Sequence, residues 1–187
     1  MTTLRLGTRA SRLALIQSRL VADRLEAAHA GLTVEFVEIT TAGDRDQSTP
    51  LPEGRGAGWF TSAIQEAIQL QQVDIGVHSY KDLPTHRPEG LVIAAVPVRE
   101  DPRDAFVSRD RSLLRRLAAG AVVGTSSPRR EVQLRALRPD LDIRSIRGNV
   151  ETRLAKVERG EFAGAVLALA GLRRLGLEGR VTEVLGF

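Results

Sequence analysis

The sequence predicts an α/β fold in two lobes, and three observations carry that expectation. Short apolar runs rich in β-branched residues alternate with longer stretches of helical spacing along the chain. The alternation breaks once, at Arg99-Glu100-Asp101-Pro102-Arg103-Asp104, where Pro102 interrupts any regular element, and then resumes. Both halves also open alike: Gly7-Thr8-Arg9-Ala10-Ser11 and Gly124-Thr125-Ser126-Ser127 each stand at a strand-to-helix turn, where open α/β sheets bind ligands. The expected boundaries are a first domain over residues 1–99, a hinge over 100–104 and a second domain over 105–187.

In chain order, Leu4-Arg5-Leu6 reads as a short strand. Ser11 to His29 reads as a helix, with Leu13, Ile16, Leu20 and Leu25 near one face and Gly31 closing it. Val34 to Ile39 follows as a β-branched strand. Thr41 to Gly58 is polar and glycine-rich, which predicts a long loop of functional character. A helix from about Phe60 to Gln71 leads to the apolar strand Val73 to Val77, and a further strand is expected from Leu91 to Val98. The second half repeats the pattern: strand Ala121 to Val123, helix Pro128 to Leu137, strand Asp142 to Ile146, helix Val150 to Arg159 and strand Gly164 to Leu169.

Composition narrows the function classes. With 187 residues, 42% of them hydrophobic, the chain can bury one sizeable core or two small ones. No apolar run approaches the roughly 20 residues that span a bilayer, and the N-terminus has no signal-peptide apolar core, so a cytoplasmic protein without membrane contact is expected. Zero cysteines exclude disulfides, thiolate metal sites and a cysteine nucleophile, and three histidines make a histidine metal site an unpromising reading, so no metal is expected. Nearly all the base is arginine, Lys81 and Lys156 being the two lysines. From Arg109 to Arg159 there are thirteen basic residues against six acidic, whereas Val21 to Glu53 is acidic, which points to an anionic ligand on the second half.

Three clusters carry the chemistry. In Gly124-Thr125-Ser126-Ser127-Pro128-Arg129-Arg130, Ser127 suits an N-cap and Pro128 the first helical position. The free N–H groups of the first turn, beside two fork-shaped guanidinium groups, then make an anion site. His78-Ser79-Tyr80-Lys81-Asp82-Leu83-Pro84 emerges at the carboxyl end of a buried-looking strand. Ile146-Arg147-Gly148-Asn149-Val150-Glu151-Thr152-Arg153 is a third strand-to-helix turn, with Gly148 permitting close backbone approach. Each alone could be a capped helix or a solvated turn; together they are three strand ends rich in the same donors.

These residues resemble the porphobilinogen deaminase, or hydroxymethylbilane synthase, family. The resemblance rests on Gly7-Thr8-Arg9-Ala10-Ser11-Arg12-Leu13-Ala14-Leu15, Val77-His78-Ser79-Tyr80-Lys81-Asp82-Leu83-Pro84 and Arg99-Glu100-Asp101-Pro102-Arg103-Asp104-Ala105. It continues through Val123-Gly124-Thr125-Ser126-Ser127 with Arg129-Arg130, Arg138-Pro139-Asp140-Leu141, Arg147-Gly148-Asn149-Val150 and Ala170-Gly171-Leu172-Arg173-Arg174-Leu175-Gly176. It implies two lobes like those of type II periplasmic binding proteins, each a mixed sheet flanked by helices, with the family's third, C-terminal domain absent. It also implies a transferase of tetrapyrrole (haem) biosynthesis. Four porphobilinogen molecules are condensed stepwise, with loss of ammonia, to hydroxymethylbilane. By resemblance Asp82, with Lys81, is catalytic. Arg9, Ser11, Ser79, Lys81, Thr125, Ser126, Ser127, Arg129, Arg130, Arg147, Gly148, Asn149, Arg153 and Arg174 bind substrate and cofactor.

The implied cofactor is dipyrromethane, which the family carries on a cysteine that this chain does not have. The implied partners are porphobilinogen and oligopyrrole intermediates, without nucleic acid, in a protein that is monomeric or completed by a C-terminal domain. The sequence departs from the family's pattern at Ala57, Ser62, Ala63, Pro128 and Ala163. A non-catalytic two-lobe module binding a pyrrole or other polycarboxylate is the alternative reading. Nucleic-acid binding is a third, disfavoured by an aromatic content of 4% that leaves little for base stacking.

Overall fold

A computed structural model of the chain describes residues 2–41, 61–86 and 88–186. The chain divides into two compact units, Met1–Pro97 and Val98–Phe187.

In the first unit, β1 (Thr2–Thr8) leads through a short turn into α1 (Arg12–Ala28), and β2 (Leu32–Glu38) returns beside β1. The two strands run parallel in register from Thr2 opposite Leu32 to Thr8 opposite Glu38. Ser11 caps α1, its Oγ accepting from the Ala14 N–H at 3.4 Å, and Gly31 at φ 81° turns the chain back beyond the helix. α2 (Ser62–Gln69) then leads to β3 (Ile75–Gly76), giving the order β2-β1-β3. Leu6, Ala22 and Val34 form the buried centre, covered by Leu25, Phe36 and Ile75.

β3 is shorter than the apolar run Val73 to Val77 suggests, and Asp74 supplies the reason. The Arg5 N–H donates to Asp74 Oδ2 at 2.7 Å rather than to a main-chain carbonyl, so regular pairing begins only at Ile75. The Arg5 guanidinium closes the pair at 2.7 Å and holds the Asp74 carboxyl below its ordinary range.

The second unit contains β4 (Asp104–Ser108), β5 (Val122–Gly124), α3 (Pro128–Leu137), β6 (Asp142–Arg144), α4 (Val150–Glu158), β7 (Gly164–Ala168), α5 (Leu169–Arg174) and β8 (Glu183–Leu185). The sheet order is β6-β5-β7-β4-β8. β5 is parallel to β6 and β7, while β4 is antiparallel to β7 and β8. Side-chain alternation along β4 divides the core between the two faces. Phe106 packs with Val123, Leu134 and Val166, while Ala105 and Val107 pack with Leu154, Leu169 and Leu172.

Several expectations differ from this picture. Leu91 to Val98 forms no strand: Val92, Val96 and Val98 are exposed, and among the described residues no neighbouring backbone completes a ladder with them. Apolar composition alone does not make a strand. Asp104, expected at the end of a hinge, opens β4. Glu100 and Asp101 both pair with Arg173 of α5, and Arg103 grips Asp101 at 2.6 Å, so this charged segment belongs to the second unit. The division falls earlier, after Pro97. The expected loop over Thr41 to Gly58, and Ala57 within it, lies outside the described residues except for Thr41, which is buried.

Candidate functional site

The sheet of the first unit is parallel, so the carboxyl ends of β1 and β3 share one edge. Arg9 follows β1 there, and His78 to Asp82 follow β3, with Tyr80–Asp82 forming a single 3-10 turn. The turn closes through the Asp82 N–H donating to the Ser79 carbonyl at 2.9 Å and the Leu83 N–H to the Tyr80 carbonyl at 3.2 Å. Lys81 is exposed and Asp82 half-buried. Ser79 does not cap this turn with its side chain. Its hydroxyl meets the Gln17 amide instead, with 3.0 Å to Nε2 and 3.1 Å to Oε1.

His78 turns back toward α2. A Cβ at Gly76 would lie 3.5 Å from His78 Nε2 and 2.5 Å from Ile64 Cγ2, so the glycine leaves room for both side chains. Nε2 is buried without a hydrogen-bond partner. Burial, reinforced by the positive charge of Arg9, pushes the imidazole pKa down to about 4. His78 is therefore neutral at pH 7, and it is unsuited to supplying a proton there.

In the second unit the carboxyl ends of the adjacent parallel strands β5 and β6 open into two linked turns. Ser126 joins them. Its Oγ donates to the Ile146 carbonyl at 2.7 Å, accepts from the Ile146 N–H at 3.2 Å and lies 3.0 Å from Ser145 Oγ. Thr125 is buried, and its Oγ1 accepts from the Ser127 N–H at 3.2 Å. Ser127 holds the N-cap position of α3 but makes no side-chain cap bond, unlike the capping role expected from its place before Pro128. That hydroxyl is not committed to the helix.

The paired arginines separate into two roles. Arg130 is buried, donating Nε and Nη2 to the two Asp104 carboxylate oxygens at 2.9 and 2.7 Å and Nη1 to the Val166 carbonyl at 3.3 Å. Its fork is filled by the protein, whereas both arginines were expected to reach for a ligand. Arg129 has a side chain 70% exposed and only a 3.9 Å approach to Asp104, leaving its guanidinium directed to the surface.

At the turn after β6, Gly148 adopts φ 108°, and a Cβ there would come within 2.7 Å of the Thr152 side chain. Asn149 caps α4, its Oδ1 accepting from the Thr152 N–H at 2.8 Å and Oγ1 at 2.9 Å. Arg153 Nε donates to the Gly148 carbonyl at 2.8 Å, and Lys156 Nζ to the Arg147 carbonyl at 3.3 Å. The helix thus holds the turn that precedes it. Arg174 stands apart at the last position of α5; the Asp101 N–H and then the Arg173 guanidinium hold the Glu100 carboxyl below its ordinary range, with Arg174 adding least.

Two residues that organise these turns were not singled out in the sequence as site residues. Asp104 partners an arginine 26 positions away, a relation that no local pattern reveals. Gln17 left a fainter signal, a polar residue within the helical stripe of Leu13, Ile16 and Leu20. Among the described residues no group of His, Cys, Asp and Glu could hold a metal ion. No helix among them is long and apolar enough to cross a membrane.

Solved structures resemble this fold, among them two with TM-scores of at least 0.50. The VFT2 domain of BvgS from Bordetella pertussis aligns over 99% of this chain and 76% of its own, with a TM-score of 0.53 and 15% identity. An ancestral arginine-binding protein bound to arginine aligns over 100% and 79%, with a TM-score of 0.50 and 15% identity. These likenesses show a fold of the type II periplasmic-binding class. Residues 4–187 match the family model described as porphobilinogen deaminase, dipyromethane cofactor binding domain. Curated porphobilinogen deaminases from Syntrophotalea carbinolica and Sorangium cellulosum are 50% and 53% identical over 98% of this chain. The chain spans 58% and 61% of their lengths. With three turns of the expected kind at parallel strand ends and this identity along almost its whole length, the chain belongs to the porphobilinogen deaminase family.

Proposed function

We propose that the chain works as the two-lobe portion of a hydroxymethylbilane synthase in the cytoplasm, condensing four porphobilinogen molecules stepwise with release of ammonia. The observation that carries this reading is the Ser79-Tyr80-Lys81-Asp82 turn, placed at the carboxyl end of β3 in a chain 53% identical to a named deaminase. Asp82 accepts pyrrole N–H bonds and stabilises the positive charge that develops as ammonia leaves. A fixed opposite charge lowers a barrier most where charge appears in the transition state. Asp82 also assists proton transfer.

Lys81, Arg9, Arg147 and Arg153 bind the acetate and propionate arms, with Arg129 and the Ser127 hydroxyl as donors at the start of α3. Arg130, Thr125, Ser126 and Asn149 support those donors through the bonds already described. Ser11 caps the helix beside Arg9, and Gly148 lets the backbone approach an arm closely. Arg174 is a more distant carboxylate partner.

Dipyrromethane supplies, when bound, the primer end on which the pyrrole chain grows. The donor set of the second unit fits its carboxylates, because an exposed guanidinium and an uncommitted hydroxyl flank the N-terminus of α3. The covalent link needs a thiol that no residue of this chain provides. The second reading is a binding module for pyrrole carboxylates without turnover.

Ammonia release and bilane formation from porphobilinogen separate the two. Turnover in the wild type, reduced about 10²- to 10³-fold in Asp82→Asn with pyrrole binding retained, is the expected result. Full turnover in Asp82→Asn would remove Asp82 from the mechanism, and pyrrole binding without ammonia release by the wild type would establish the module.

A further inference from the structure

We infer that Gln17 is a positioning residue that holds the Lys81–Asp82 turn in place through the Ser79 hydroxyl. The inference rests on the reading of that turn as the reacting one. A serine just before a helical turn ordinarily uses its hydroxyl on the N–H groups of that turn. Ser79 has the position and backbone conformation for this, with φ −65° and ψ 125°, yet makes no such bond. Its hydroxyl is held by an amide 62 residues earlier, in α1.

The next residue of α1 makes a similar connection. The Ser18 Oγ donates to Thr8 Oγ1 at 2.7 Å, and both residues are fully buried. Consecutive residues of one helix therefore reach the carboxyl end of β1 and the turn beyond β3. The Ser18 bond fixes where α1 lies across the sheet, and the Gln17 bond uses that fixed helix to hold the turn. Ser79 is also the residue whose carbonyl accepts from the Asp82 N–H, so moving Ser79 moves the backbone of Asp82 directly.

The hydroxyl and the amide are both half-buried, where an amide–hydroxyl bond competes with less water than at the surface. Gln17 need not touch the substrate to matter. A carboxylate that stabilises developing charge loses effect when displaced by even about 1 Å.

The test compares wild type with Gln17→Leu, Gln17→Glu and Ser79→Ala in the full chain, by amide hydrogen exchange and by porphobilinogen turnover. Gln17→Leu is expected to speed exchange at Asp82 and Leu83 by about tenfold or more, while the β1–β2 ladder exchanges as before. Gln17→Glu keeps an acceptor for the Ser79 hydroxyl and is expected to restore much of the protection. Ser79→Ala loses the contact without altering α1 and is expected to match Gln17→Leu, which keeps the test decisive if the leucine variant does not fold.

In turnover, kcat in Gln17→Leu is expected to fall about tenfold or more with KM changed less than about threefold. Unchanged exchange at Asp82 and Leu83 in both Gln17→Leu and Ser79→Ala would overturn the clamp. Absence of turnover in the wild type would instead defeat the catalytic reading, with the exchange comparison still deciding whether Gln17 holds the turn.

Discussion

The turn after β3 and the paired turns after β5 and β6 occupy comparable places, at the carboxyl ends of parallel strands, but they are held differently. In the second unit each turn is tied by several short bonds. Ser126 joins the two, Asn149 and Arg153 fasten the second to α4, and the Arg130–Asp104 pair lies buried beneath the first. In the first unit the bonds that hold the turn include its own 3-10 bonds and the Gln17–Ser79 contact, next to an imidazole whose buried Nε2 has no partner. The contrast suits the proposed division of work. Under the proposed function, donors for carboxylate arms act best when fixed beforehand, and the turns of the second unit have that character.

The largest expected effect lies in the buried pair. Asp104→Ala leaves the Arg130 guanidinium buried without its carboxylate and should cost about 3–5 kcal/mol, read as a lowered urea midpoint. A loss below about 1 kcal/mol would show that the second unit is not built around this pair.

The first unit should respond to acid. His78 titrates near 4 in the folded chain, against about 6.5 when unfolded, so the unfolded state takes up more protons between those values. Its contribution is complete above pH 6.5 and falls away as pH drops toward 4, by up to about 3 kcal/mol. Urea melts at pH 7 and pH 4.5 should show this loss in wild type and a smaller one in His78→Leu. Equal losses would place the acid sensitivity elsewhere.

A smaller penalty is expected for Gly148→Ala, which forces a side chain into a positive-φ position and against Thr152. About 1–3 kcal/mol of stability and weaker binding of a porphobilinogen analogue by calorimetry should follow. Unaltered binding would show that the turn tolerates distortion and that its fastening is incidental. The mildest change, Ser126→Ala, should cost about 1 kcal/mol by removing the link between the two turns. If its effect on analogue binding exceeded that of Gly148→Ala, the link would outweigh the shape of either turn.

Legibility in the sequence followed the range of the interactions. Pro128 to Leu137 was readable as a helix because serine, proline and arginine stand in its first positions, and α3 spans those residues. Asn149 was readable as part of a capped strand-to-helix turn because its contact with Thr152 spans three residues. By contrast, β4 was hidden behind a proline-interrupted charged segment, and β8 is too short to show periodicity. Leu91 to Val98 misled because its composition suits a strand while pairing depends on a neighbour elsewhere in the chain. The two arginines after Pro128 looked equivalent because the carboxylate that distinguishes them lies far away in sequence.

Taken alone, the sequence determined the alternating α/β plan, the family and the positions of three donor-rich turns. Each of these is written in local spacing, caps and ordered motifs. Only the tertiary structure decided that Arg130 is spent on Asp104 while Arg129 faces outward, that His78 is half-buried and neutral, and that Gln17 reaches Ser79. These outcomes depend on which side chains meet after distant segments pack, and on how much water remains around them, neither of which is set by neighbours along the chain.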